Sequence, residues 1–196
     1  LNEEEKEQPG DPFGNIWITS RTRMQSHAKY TRYDLISHIV LTAYSVLLLG
    51  FSVFSRHLSE TKLGPYTSEV SIVLSLSVLC ASLVIWGLKF GKTADQHREC
   101  YLALQRLYDD EDARKNVATY HQILDRYPNQ SDFDYEAMLY KNVWSQNKEL
   151  RDRSGVLKYS WWRARKFEFR QLSRIFGTLF VLTCPVIFLA VLYVAG

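Results

Sequence analysis

The chain has 196 residues, with 24 Lys and Arg against 21 Asp and Glu, for a formal net charge of +3. That length admits one domain of ordinary size, and so small a surplus does not single out nucleic acid as a partner. Three scattered cysteines, Cys80, Cys100 and Cys184, form no CxxC pair, so neither a zinc site nor a disulfide framework is suggested.

The mean hydropathy of −0.20 resembles that of a soluble protein, but the apolar residues are clumped. Residues 36–54, 70–88 and 175–196 contain no Asp, Glu, Lys or Arg. At ~1.5 Å per residue each stretch can cross ~30 Å of hydrocarbon. The competing reading, a buried helix in a soluble core, is disfavoured by such long uncharged runs. The expectation is an all-α membrane protein: a two-span transmembrane hairpin, a cytosolic helical hairpin and an additional C-terminal transmembrane helix.

In chain order, "LNEEEKEQPGDPFG" is acidic and not hydrophobic. It does not read as a cleavable signal peptide, and residues 1–14 are expected to be a disordered tail. The first residue is leucine, so a natural start further upstream is expected. Residues 15–33 read as a short basic amphipathic helix entering the membrane, with Trp17 and Ile18 near the headgroups. The transmembrane hairpin is assigned to 34–90, with spans at about 36–54 and 70–88. Its loop turns at Gly64-Pro65, and Thr67 and Ser68 are placed to cap the second span.

The second span is expected to run on unbroken into the cytosolic hairpin, residues 91–150. There His97, Tyr101, Leu104 and Tyr108 recur at steps of three and four. Ala113, Val117, Tyr120, Leu124 and Tyr127 follow in the same way, as do Phe133, Ala137, Tyr140 and Trp144 beyond Pro128. This is helical periodicity, and Pro128 stops the first helix. Tyr101, Leu104, Tyr108, Val117, Tyr120, Leu124, Tyr140 and Trp144 are too apolar for solvated helices and form the expected assembly face. Between the helices lies "YPNQSDFDY". Ser131 and Asp134 match a capping box, so the stretch reads as a helix stop, a turn and a helix start. A metal site from Asp125, Asp132, Asp134 and Glu136 is the alternative, but it lacks the glycine and distal glutamate of a calcium loop.

Residues 151–174 form a basic aromatic interfacial segment anchored by Trp161, Trp162, Arg163 and Arg165. Aromatic–basic mixtures also bind single-stranded nucleic acid, but the adjoining apolar stretch favours the membrane. Pro185 is expected to kink the third span.

Lys and Arg cluster before the first span (Arg21, Arg23, Lys29, Arg32), after the second and before the third, whereas the loop 55–69 holds only Arg56 and Lys62. By the positive-inside rule the N-terminus and residues 89–174 are expected to be cytoplasmic and the C-terminus to lie on the far side. The basic residues are expected at lipid headgroups.

Neither HExxH, a glycine-rich phosphate loop nor GxSxG occurs, and Asp134, Glu136 and Lys141 make only a weak nuclease-like set. No enzyme activity, metal or cofactor is expected. In the first span His38, Thr42, Ser45 and Ser52 fall within about 80° of one another, and in the second Ser71, Ser75 and Ser82 fall within about 40°. Two readings stay open: helix–helix packing through small hydroxyl residues, or the lining of a pore in an oligomer.

Three segments, "RTRMQSHAKY", "TADQHRECYLALQRLY" and "YHQILDRYPNQSDFDY", resemble the SLATT family, the SMODS- and SLOG-associating two-transmembrane effector domain, and most closely its branch encoded beside reverse transcriptases. The resemblance covers roughly residues 15–150. It makes Tyr127, Pro128, Ser131, Asp132, Asp134 and Tyr135 a family-marker corner. It implies a bacterial antiphage effector of the inner membrane with a reverse-transcriptase or nucleotide-signalling partner. Such an effector is expected to homo-oligomerise and to breach the membrane on activation, causing growth arrest or death. The alternative is a non-conducting anchor or scaffold that docks such a partner, and a third reading is a membrane-tethered nucleic-acid-processing enzyme. No direct contact with nucleic acid is expected.

Overall fold

The computed structural model describes residues 13–54, 64–152 and 155–195. The expected acidic tail, apart from Phe13 and Gly14, and the loop positions Arg56 and Lys62 lie outside the described residues. The chain is mostly helical and divides into two units, one of Leu1–Thr31 with Gly91–Arg170 and one of Arg32–Phe90 with Gln171–Gly196.

Helix α1 runs from Gly14 to Val53 without interruption. The short membrane-entering helix expected over 15–33 is therefore the first half of a longer one, since no Gly or Pro interrupts the sequence between Gly14 and Gly50. One face of this half, Ile18 included, is covered by protein rather than open to headgroups. Ile16, Ile18, Ser20, Thr22, Arg23 and Ser26 are buried within the first unit.

Helix α2 (Thr67–Leu88) follows a 3₁₀ turn at Gly64–Tyr66. Its N-cap is Tyr66, with no side-chain cap. The expected cap residues Thr67 and Ser68 lie inside the helix, and the Thr67 hydroxyl instead donates back to the Gly64 carbonyl at 2.5 Å. The expected unbroken run into the next helix is also corrected. Lys89 adopts the left-handed conformation (φ 49°, ψ 43°), which ends α2, and α3 (Phe90–Asp109) starts afresh.

Beyond α3 come a 3₁₀ turn at Ala113–Lys115, α4 (Val117–Arg126), α5 (Asp132–Leu139) and one π-helical turn at Tyr140–Ser145. Asp110 Oδ1 accepts from the amides of Asp112 and Ala113, so the acidic run is itself a turn. Asn116 caps α4 by accepting from the Ala118 and Thr119 amides. Two short antiparallel strands follow, β1 (Arg151–Asp152) and β2 (Gly155–Val156), a small departure from the all-α expectation. Gly155 holds φ at +121°, a value L side chains rarely adopt. Helix α6 spans Trp161–Ala195 and runs through position 185.

The first unit is thus not a lone hairpin of 91–150. It buries one face of α1 and the first turns of α6 in two cores. Ile18 packs with Met138, Leu139, Leu150, Tyr159 and Ala164. Ile16 packs with Cys100, Leu104 and Leu107, under Tyr108, Tyr120, Ile123, Leu124 and Tyr127. Met138 and Leu104 have no exposed surface, and each such side chain contributes roughly 1.5–3 kcal/mol.

The second unit is built differently. Its enclosed cluster consists of Phe51, Val70 and Leu74 with Leu48 beside it, and the Tyr44 hydroxyl donates to the Val181 carbonyl at 2.6 Å. Leu35, Val46, Leu49, Val53, Ile72, Leu83 and Trp86 are exposed. Among the described residues, two helices are long and apolar enough to cross a membrane, and only 6% and 11% of their most apolar windows are buried. Core helices of a soluble protein would be mostly enclosed, so this surface is one that hydrocarbon suits and water does not.

Candidate functional site

The corner 127–135 is held by one face of α1. Arg23, Ser26 and Lys29 recur at steps of three, close to the helical repeat, and so point the same way. Asp134, in the first turn of α5, is 1% exposed. Its Oδ2 accepts from the Ser131 amide (3.2 Å), the Ser131 hydroxyl (2.8 Å) and the Ser26 hydroxyl (2.8 Å). Lys29 Nζ lies 2.8 Å from Oδ1 and 2.9 Å from Oδ2, and also donates to Ser131 Oγ at 3.2 Å. The expected capping box is present, and it is also the end of a buried ion pair. Burial alone would raise the Asp134 pKa, but hydrogen bonds from Lys29, Ser131 and Ser26 and the Lys29 charge outweigh it and hold the carboxyl below its usual range.

Arg23 is likewise 1% exposed. It donates to the Pro128 carbonyl, to Asn129 Oδ1 at 3.4 Å and to His97 Nδ1 at 3.4 Å. A guanidinium has no acceptor, so Nδ1 of His97 accepts and its ring proton sits on Nε2. Burial first, then the Arg23 charge, lowers the His97 pKa to about 4, leaving the ring neutral at pH 7. Tyr30 stacks on it at 5.4 Å. Burial also lowers the Arg23 pKa, and its Nε has no hydrogen-bond partner among the described residues. The proline end of the corner is thus fastened by Arg23 and the α5 end by Lys29.

These contacts fasten the corner. The four donor groups on Asp134 occupy the lone pairs that a metal would need. Asp125 and Asp132 are exposed, and Glu136 accepts from the Tyr159 hydroxyl at 3.0 Å and from Arg163. No group of three metal-ligating side chains occurs among the described residues. The weak nuclease-like set is not gathered either, since Asp134 and Glu136 face different partners and Lys141 is exposed.

The apolar stripe is divided. Leu104, with no exposed surface, packs inside the unit and offers nothing to a second copy. Tyr108, Tyr120 and Leu124 pack against the same core, Tyr101 tilts against His27, and Tyr140 stacks on Phe167 and donates to Glu168 at 2.9 Å. Val117 and Trp144 remain exposed. Apart from Val117 and Trp144, the stripe lies on helix faces that the chain itself at least partly covers.

In the second unit, Thr42, Ser45, Ser52 and Ser75 are exposed and Ser71 and Ser82 half-buried. Ser45, Ser71, Ser75 and Ser82 donate to carbonyls of their own helices at 2.7–2.9 Å. His38 Nε2 lies 3.9 Å from Asp34 Oδ1, both well exposed. Of the interfacial anchors, Trp161 and Trp162 are exposed, Arg163 is tied to Glu136, and Arg165 pairs with Glu168 at 3.2 Å.

Arg23, Ser26 and Lys29, which hold the corner, were missed as such in the sequence reading. Arg23 and Lys29 counted there as headgroup-facing charges, whereas one is buried and the other has a side chain only 15% exposed. The step of three and four on which His97 lies was the available signal for its inward direction.

None of the curated proteins and none of the solved structures compared matches the chain. A family model does, that of the SMODS and SLOG-associating 2TM effector domain family 5, and it covers residues 11–193. That range takes in the marker corner and extends through most of α6, beyond the stretch 15–150 that carries the quoted segments. The chain therefore belongs to the SMODS and SLOG-associating 2TM effector domain family, which makes it a membrane effector of defence systems.

Proposed function

We propose that the protein assembles into a homo-oligomer that opens a regulated path through, or disrupts, the bacterial inner membrane. The consequence is growth arrest or death of the infected cell. Residues 175–195 act as a third span, the N-terminus and residues 89–174 face the cytoplasm, and the C-terminus lies on the far side. The trigger comes from a partner, of the reverse-transcriptase or nucleotide-signalling kind. One observation carries this reading. The polar positions Thr42, Ser45, Ser52 and Ser75 face outward from a single copy, while its own helix packing uses Phe51, Val70 and Leu74. A polar face left open by one copy is suited to water or to another copy, and three spans are too few to enclose water alone.

The test is dye release from liposomes containing the activated protein. His38→Leu and Ser75→Leu should each lower release several-fold without loss of insertion, and Leu49→Ala should do less. Release unchanged by both stripe variants removes the lining role.

A second reading, a non-conducting anchor or scaffold, is favoured by the back-bonded serines. Hydroxyls satisfied within their own helices need no water. Absence of release at any protein density, with the partner still bound, would support it.

A further inference from the structure

The first turns of α6 have one face inside the unit and another that no described residue covers. Ala164 and Phe167 are 1% and 8% exposed. Trp162 and Phe169 are 76% and 73% exposed, and Lys166 and Arg170 are exposed as well. At 100° per residue these last four fall within about 100° of one another, opposite Ala164. Trp162 touches Trp161 edge-on at 4.8 Å, which leaves its indole mostly open. Arg163 and Arg165 are engaged with Glu136 and Glu168, and among the described residues neither acid forms an ion pair with Lys166 or Arg170. The face is thus two large aromatic side chains interleaved with two cations.

We propose that this face, Trp162, Lys166, Phe169 and Arg170, docks on anionic phospholipid headgroups. Two features select that occupant over a protein partner. The cations match an anionic surface, which attracts basic residues held near it. The same helix continues into the uncharged run 175–195, with Phe176, Leu179 and Phe180 exposed, so Phe169 and Trp162 precede the apolar stretch by ~9 and ~20 Å along the helix, on the side where headgroups would lie. This inference rests on the reading of 175–195 as a span. It differs from the sequence assignment in its residues, because Arg163 and Arg165 are tied to acids while Lys166, Phe169 and Arg170 are exposed.

The experiment places the full chain in nanodiscs of phosphatidylcholine, with or without phosphatidylglycerol, containing lipids brominated near the headgroup end of the acyl chain. The Trp162 emission is isolated as the difference from Trp162→Phe. Docking predicts that this emission is quenched at least about twofold more with the anionic lipid, and that Lys166→Glu with Arg170→Glu abolishes the difference. Equal quenching in the two discs, or a blue-shifted Trp162 that no bromine quenches, overturns the proposal, the latter because protein rather than lipid then covers the face. A separate Phe180→Trp variant read with deeply brominated chains tests the span. Its quenching without that of Trp162 leaves the span standing and the docking refuted. Its failure to quench refutes the span reading and with it the docking.

Discussion

Asp134 shows how one side chain serves local and tertiary structure at once. Its bonds to Ser131 start α5, and its bonds to Ser26 and Lys29 fasten that start to α1. Removing the cap hydroxyl by Ser131→Ala should cost about 1 kcal/mol. Lys29→Met strands a buried carboxylate and should cost about 3–5 kcal/mol. Denaturant titration in detergent measures both, and equal losses would mean that the ion pair adds nothing to the cap. His97 makes a pH prediction with a definite sign. Its folded pKa, about 4, lies below the ordinary 6.5, so between those values the unfolded chain binds more protons. Stability from this group is therefore complete above pH 6.5 and lost progressively as pH falls to 4, by up to about 3 kcal/mol. Asp134, also held low, keeps its contribution above the ordinary carboxylate range and loses it only as pH falls through its own lowered pKa. His97→Gln, which keeps an acceptor for Arg23, should flatten the stability profile between pH 4 and 6.5. A profile identical to that of the unchanged chain would mean that His97 ionises in place.

At the scale of elements, the informative position is Lys89. A left-handed conformation costs an L residue roughly 1–2 kcal/mol, and here it divides what composition presents as one long helix. Lys89→Gly removes that cost and should stabilise the fold by up to about 1 kcal/mol. Lys89→Val, β-branched, should destabilise it by at least as much. Thermal unfolding of the two variants checks the sign, and a loss in Lys89→Gly would indicate that the lysine side chain, which lies over Trp86 at 5.9 Å, matters more than its backbone. The π-helical turn after α5 has a comparable local origin. Asn142, buried, returns its side chain to the Met138 carbonyl at 2.9 Å, and the Gln146 amide reaches back to Lys141.

For the whole molecule, the cationic asymmetry sets the expected topology, though Arg23 and Lys29 now belong to a protein interior. Arg21, Arg32, Lys89, Lys92 and Arg98 still outnumber Arg56 and Lys62. A topology reporter fused at Lys62 should therefore read as periplasmic and one at Asp110 as cytoplasmic. A cytoplasmic reading at both positions removes the hairpin and the membrane path together.

The apolar runs, their helical character and the turn at Pro128 were legible in the sequence, because length without charge and periodicity are local properties that survive whatever the chain packs against. The capping box was legible for the same reason, as it spans four consecutive residues. The sequence could not show that the stripe of Leu104, Tyr120 and Leu124 closes on Ile16 within one chain, since periodicity marks an apolar face without naming what covers it. Nor could it show that Lys29 meets Asp134 across more than a hundred residues. A lysine near a span looks the same in a headgroup layer or beside a buried carboxylate. Only the folding of α1 against α3, α4 and α5 decides between them, by removing water from both charges and leaving each the other as its partner.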